Sequence, residues 1–73
     1  MSPRLPRLTA KEVLRALEAR GFQVVRQRGS HMILRDEQGH RVTLPIHPGK
    51  TLHPKIVAAI MADAGLSEAD LGG

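Results

Sequence analysis

The sequence of 73 residues contains no cysteine and a single aromatic residue, Phe22. Without cysteine the chain cannot form a disulfide or a thiolate zinc site, which excludes disulfide-stapled scaffolds and zinc fingers. A lone aromatic residue excludes RNA-recognition modules that stack two or three bases on exposed rings of a sheet. If the chain binds nucleic acid, it must do so through charge, shape and hydrogen bonds to the nucleic-acid backbone.

Long apolar runs and targeting segments are also missing. No stretch approaches the roughly 20 apolar residues that span a bilayer, and the basic segment 1–7 lacks the apolar core of a signal peptide. We therefore expect one small domain over residues 1–73, cytoplasmic and without a membrane anchor. A chain of this length buries only a modest core, which leaves no room for a nucleotide-binding fold or a two-domain cleft.

Charge is distributed unevenly along the chain, whose formal net charge is +4. Residues 1–35 contribute +6, residues 36–60 contribute +1, and residues 61–73 contribute −3. A basic body with an acidic tail favours a polyanionic partner, and nucleic acid is the first candidate. Many small proteins are basic for other reasons, so charge alone leaves both interpretations open.

Two helices are predicted from capping residues and apolar stripes. Thr9 and Glu12 form a capping box, and the apolar spacing after them predicts a first helix over residues 10–20. The second helix begins near Pro54, a residue that suits the first helical turn, and Gly65 is expected to end it in a left-handed conformation.

Three strands are predicted between the helices, at residues 22–27, 31–35 and 41–44, and their short connections favour an antiparallel meander. One sheet face is expected to be apolar and to pack against both helices. Its residues are Phe22, Val24, Met32, Leu34, Val42 and Leu44. The open face is expected to be polar and basic, with some apolar area from Val25 and Ile33. Its polar residues are Gln23, Gln27, His31, Arg35, Arg41 and Thr43.

The expected fold class is α+β, a two-layer α-β-β-β-α sandwich whose three-stranded antiparallel sheet has two helices on one face. Double-stranded-RNA-binding domains share this architecture, but an analogy of fold does not establish function. Residues 1–8 are expected to form an extended basic arm, because Pro3 and Pro6 exclude a helix there, and residues 67–73 a short tail.

His31 is the leading candidate for chemistry. It opens the second predicted strand on the open face, where an exposed imidazole can exchange protons near neutral pH. Gly29 allows close backbone approach, and Ser30 offers a hydroxyl and an N–H group to a phosphate oxygen. The arginines expected to place positive charge around it are Arg28, Arg35 and Arg41. The alternative is that His31 is an ordinary histidine at the start of a strand, since a histidine without a catalytic role beside a turn gives the same sequence pattern.

A second candidate is the loop from His47 to Lys50. A Gly-Lys pair before a helix suits phosphate capture by backbone N–H groups and an ammonium together. The loop is not a phosphate-binding P-loop, because that motif requires a glycine where Leu44 stands. A basic connecting loop is the plain alternative.

The four histidines do not predict a metal site. Their spacings of 9, 7 and 6 residues match no helical i, i+4 pair, and most acidic residues lie on helices and loops away from them. We expect neither a metal nor another cofactor. No carboxylate pair lies near His31 in the sequence, so carboxylate-based acid–base catalysis is unsupported.

Several short motifs follow one another along residues 8–71. They are Arg20-Gly21-Phe22, Arg28-Gly29-Ser30-His31, Gly39, Val42-Thr43-Leu44-Pro45, His47, Gly49-Lys50 and Ala64-Gly65-Leu66. In this order and spacing they resemble the HicA toxins of bacterial and archaeal toxin–antitoxin pairs. The usual Gly-Thr of that family before the second helix is replaced here by His53-Pro54.

The resemblance implies a small ribonuclease that cleaves messenger RNA and arrests translation until a HicB antitoxin covers it. The catalytic histidine of the family lies in its Gly-Ser-His motif, which here is His31. RNA supplies its own nucleophile, the 2′-hydroxyl, so the protein needs only a proton-transfer group and charges that hold the phosphate. The residues expected to bind RNA phosphate are Arg28, Gly29, Ser30, Arg35, Arg41, His47 and Lys50.

Two other functions stay open at this point. The chain could be a non-catalytic RNA-binding module in which His31 only contacts phosphate. It could also be an adaptor that binds protein through the face of Val25 and Ile33.

Overall fold

The helices and strands follow one another in the predicted α-β-β-β-α order. The computed structural model describes residues 7–67, and the predicted arm and tail lie outside them except at residues 7, 8 and 67. The elements are α1 (Ala10–Ala19), β1 (Gln23–Arg28), β2 (His31–Arg35), β3 (Arg41–Pro45) and α2 (Pro54–Ala64). The strands form one antiparallel sheet in the order β1-β2-β3, which confirms the predicted fold class.

Side chains cap the N-termini of both helices. At α1 the predicted capping box is present: the Thr9 N–H donates to Glu12 Oε1 at 3.0 Å, and the Glu12 N–H donates to Thr9 Oγ1 at 3.2 Å. The hydrogen bond from the Thr9 backbone lowers the pKa of Glu12. At α2 the cap is His53, whose Nδ1 accepts the Lys55 N–H at 3.0 Å. His53 therefore has a structural role that the sequence did not predict.

Both helices end in the same way, which was predicted for α2. A glycine with positive φ follows the last turn, at +92° for Gly21 and +69° for Gly65. The next N–H group then reaches back to a carbonyl five residues earlier, which satisfies a helix end that otherwise lacks partners. The two bonds are Phe22 N–H to the Leu17 carbonyl at 3.0 Å and Leu66 N–H to the Met61 carbonyl at 2.9 Å.

The core lies between one face of the sheet and both helices. Its fully buried members are Leu34, Val42 and Leu44 of the sheet, Val13 and Leu17 of α1, and Val57 of α2. The helices contact the sheet mainly through β3, so β1, at the far edge, contributes no buried residue. The prediction that Val24 is buried was therefore wrong, since 42% of its surface is exposed.

A bulge in β1 places the side chains in the second half of the strand on the sheet face opposite to the one predicted. The opposed pairs are Gln23 with Arg35, Val24 with Leu34, Arg26 with Ile33, Gln27 with Met32 and Arg28 with His31. The pairing skips Val25, and directly opposed residues of an antiparallel pair share a face. Arg26 therefore lies on the open face and Gln27 on the helix face. The prediction for Gln27 was wrong, because regular alternation fails where an extra residue is inserted.

Candidate functional site

His31 begins the central strand on the open face of the sheet. It lies opposite Arg28 in β1 and Pro45 in β3, and it is exposed. Its imidazole makes no hydrogen bond or ion pair to any other residue between 7 and 67. An exposed imidazole without a partner is available to take or give a proton to a ligand lying on this face.

The turn before His31 is a two-residue hairpin loop of Gly29 and Ser30. Gly29 has a φ of +56°, whereas Ser30 has no positive φ, which is the pattern of a type II′ turn. Nothing lies within 4 Å of the position that a Gly29 β-carbon would occupy. The conformation, and not the available space, therefore requires glycine at this position.

The loop after β3 starts beside this turn. The Ile46 N–H donates to the Ser30 carbonyl at 2.6 Å, and the Lys50 N–H donates to the His47 carbonyl at 3.1 Å, which closes a turn over residues 47–50. His47 and Lys50 are both exposed. The structure therefore places the predicted loop at the same end of the sheet as His31.

Arg35 and Arg41 lie at the other end of the sheet, opposite one another on β2 and β3. Along β2, Arg35 is four residues from His31, a separation of about 13 Å in a strand. These two arginines do not surround His31 as predicted. They extend the positive face away from it.

The open face carries positive charge and no acidic residue, because the three strands contain neither aspartate nor glutamate. Its four arginines are Arg26, Arg28, Arg35 and Arg41. Between residues 7 and 67 no carboxylate forms an ion pair with any of them. Like charges that face each other without a counterion favour an anion that lies across the sheet.

Asp36 and His40 form a second polar cluster, beyond the far end of the strands. His40 Nδ1 lies 2.6 Å from Asp36 Oδ2, and Asp36 Oδ1 accepts the N–H groups of Gln38 and His40 at 3.0 and 2.8 Å. The imidazole lies against Gly65, where an added β-carbon would be 2.9 Å from Nε2. His40 thus contacts both Asp36 in the β2–β3 loop and the end of α2. Sequence spacing does not reveal this tertiary contact.

This cluster makes stability depend on pH. Burial raises the pKa of Asp36, but the hydrogen bonds from His40 and Gln38 outweigh it and hold the pKa below its usual value. A lowered folded-state pKa means that the contribution to stability is present above the unfolded-state pKa, about 3.9, and is lost as pH falls through the folded-state value. We expect Asp36→Asn to be less stable at pH 7 and to lose less stability on acidification, measured by thermal unfolding from pH 7 to pH 2.5.

Glu37→Gln is the matched control, because it removes the same charge from the adjacent exposed residue. The wild type and Glu37→Gln should both show the steep acid loss. Equal slopes for Asp36→Asn and the wild type would show that the Asp36–His40 contact does not stabilise the folded state.

Within residues 7–67, no three side chains of the metal-binding types come together. No helix in the same range is long and apolar enough to cross a membrane.

Comparison with known proteins places this arrangement in a family. The family model described as the HicA toxin of bacterial toxin–antitoxin systems matches residues 10–66, which include both helices and all three strands. A search of curated proteins gives no match. A toxin of such a pair has an antitoxin as its partner. Because the match runs from the first residue of α1 to the residue that follows the C-cap of α2, the chain belongs to the HicA toxin family.

Proposed function

We propose that this chain is a messenger-RNA endoribonuclease, or mRNA interferase, in which His31 is the general acid or base. The observation that carries the proposal is the position of His31: its imidazole is exposed, makes no hydrogen bond or ion pair between residues 7 and 67, and lies opposite Arg28 on a basic sheet face. RNA is a polyanion that such a face attracts. Its cleavage requires one positioned proton-transfer group and charges that hold a phosphate.

The proposed reaction is a transesterification within the RNA. The 2′-oxygen attacks the adjacent phosphorus, the bond from phosphorus to the 5′-oxygen breaks, and a 2′,3′-cyclic phosphate and a 5′-hydroxyl result. His31 takes the proton of the 2′-hydroxyl while water protonates the departing 5′-oxygen, or His31 gives a proton to the departing 5′-oxygen while water takes the 2′-proton. No metal or cofactor is required, because the nucleophile belongs to the substrate.

Charges around His31 stabilise the phosphate as it gains negative charge. Arg28 lies directly opposite His31, and the loop bearing His47 and Lys50 begins beside Ser30. The turn of Gly29 and Ser30 brings backbone and hydroxyl close to a phosphate without a bulky side chain between them. The arginines at the far end of the sheet, Arg35 and Arg41, bind the RNA further along its length.

The antitoxin that fits this surface is an acidic, HicB-type protein. Its carboxylates pair with the arginines of the open face, and the same contact covers His31. Free toxin cleaves messenger RNA and inhibits translation, and the complex does not. One face therefore serves both the substrate and the inhibitor.

The test compares RNA with a substrate that lacks the nucleophile. Purified protein with EDTA is incubated with an RNA oligonucleotide and with the same oligonucleotide carrying one 2′-deoxynucleotide at the cleaved position. We expect cleavage of the first and none of the second at that position, resolved on a denaturing gel. Loss of cleavage in EDTA would contradict the metal-free mechanism, and binding without cleavage would identify a non-catalytic RNA-binding module.

A further inference from the structure

We propose that Arg26 binds the phosphate next to the one that is cleaved, and that the substrate lies on the sheet face as a single strand. This inference rests on the proposed ribonuclease function and names a subsite within it. The observation behind it is the bulge in β1, which places Arg26 on the open face opposite Ile33.

The open face is organised in three rows of opposed residues. They are Arg28–His31–Pro45, Arg26–Ile33–Thr43 and Gln23–Arg35–Arg41. The bulge makes the step from Arg26 to Gln23 in β1 three residues, whereas neighbouring rows are two residues apart along β2 and β3, about 7 Å. This separation is comparable to that of successive phosphates in an extended nucleic-acid strand, so a strand that runs along the sheet presents one phosphate to each row.

Arg26 is the only charged residue of the middle row. Without it, His31 and Arg28 would be separated by an uncharged row from the pair Arg35 and Arg41. With it, positive charge continues from the catalytic end of the sheet to the far end. A phosphate bound at Arg26 therefore holds the neighbouring phosphate beside His31. A substrate reacts faster when the reacting group is held at the right distance from the catalytic group.

The bulge decides which residue occupies this position. A regular strand would place Gln27 on the open face and turn Arg26 towards the helices. Inserting Val25 exchanges the two, although it leaves Val25 55% exposed and outside the buried core. Bulges often redirect a side chain beside a functional site. Core packing does not explain this bulge. The position that it gives Arg26, on the open face, explains it.

The shape of the face favours a single strand. The sheet is three strands wide, about 10 Å, and its arginines follow one path, from Arg28 and Arg26 on β1 to Arg35 and Arg41 on β2 and β3. The middle row has Ile33 at its centre and no aromatic residue, so it provides charge and an apolar floor without base stacking. We therefore expect backbone recognition at this subsite and little preference for a particular base.

The test uses Arg26→Ala, the charge-preserving Arg26→Lys, and Gln27→Ala as a control on the opposite face of the same strand. With a single-stranded oligonucleotide blocked by a 2′-deoxynucleotide at the cleaved position, we expect Arg26→Ala to raise Kd about tenfold. Arg26→Lys should recover much of this loss, and Gln27→Ala should bind as the wild type does. With the cleavable RNA, kcat/KM should follow the same order.

A second substrate tests which phosphate of the RNA contacts Arg26. An uncharged methylphosphonate at the linkage next to the cleaved one should weaken binding to the wild type and leave binding to Arg26→Ala unchanged. Equal losses in both proteins, or no effect of Arg26→Ala on Kd, would overturn the assignment. Tighter binding of a duplex than of the single strand would overturn the substrate class. Because Kd is measured on an uncleavable substrate, these outcomes are separate from a failure of the proposed catalysis, which the cleavable RNA reports.

Discussion

Replacing His31 with alanine is expected to reduce RNA cleavage by the purified protein strongly and to relieve the growth arrest that we expect when the toxin is expressed. General acid–base catalysis by one positioned group contributes about 10²–10⁴-fold, and His31 is the only histidine on the open face of the sheet described here. The rate of oligonucleotide cleavage should fall by a factor in this range. Since the imidazole of His31 is exposed and makes no hydrogen bond or ion pair between residues 7 and 67, the fold should be unchanged by circular dichroism.

A second histidine supplies the control for this result. His53 caps α2 through Nδ1, and asparagine is a strong N-cap residue, so His53→Asn removes an imidazole and retains the capping acceptor. This variant should cleave RNA at the wild-type rate. If His31→Ala degraded RNA as the wild type does, His31 would not be the catalytic group.

Replacing Leu34 with alanine is expected to destabilise the protein severely. Leu34 is fully buried at the centre of the sheet, and truncation of a buried leucine costs about 2–5 kcal/mol. At about 0.05–0.15 kcal/mol per residue, a domain of this size has about 4–11 kcal/mol in total. Urea unfolding followed by circular dichroism should therefore show a large fall in midpoint with little change in slope.

The residue opposite Leu34 offers a matched comparison. Val24 lies across from it in β1 and is 42% exposed, so Val24→Ala should lower the free energy of unfolding by less than 1 kcal/mol, roughly the effect of a surface change. Similar losses for the two variants would mean that β1 is as well covered as β2. That result would contradict the position of the helices over β3.

The helix boundaries and the turn of Gly29 and Ser30 could be predicted from sequence because local chemistry determines them. Thr9 caps α1 through a hydroxyl three residues from its partner, and Gly65 ends α2 because few other residues adopt its φ. The turn at Gly29 is equally local. Each signal depends on neighbouring residues, and each prediction was confirmed.

Which side chains of β1 lie on which face of the sheet could not be predicted in the same way. No glycine or proline marks the bulge at Val25, so alternation assigned Gln27 to the open face in place of Arg26. The exposure of Val24 depends on where the helices lie, and the contact of His40 with Gly65 joins residues far apart in the chain. These features are set by tertiary packing, which a one-dimensional pattern does not contain.

The unpaired arginines of the open face also affect the stability of the free protein. Arg35 and Arg41 repel each other across the ladder, and no acidic residue of the three strands offsets them. A polyanion that binds only the folded chain stabilises it by RT ln(1 + [L]/Kd), about 2.7 kcal/mol at a hundredfold excess over Kd. The unpaired positive charge of this surface therefore leaves the unbound toxin less stable and more readily unfolded than one with a polyanion bound. A polyanion that occupies the face then protects the chain from unfolding.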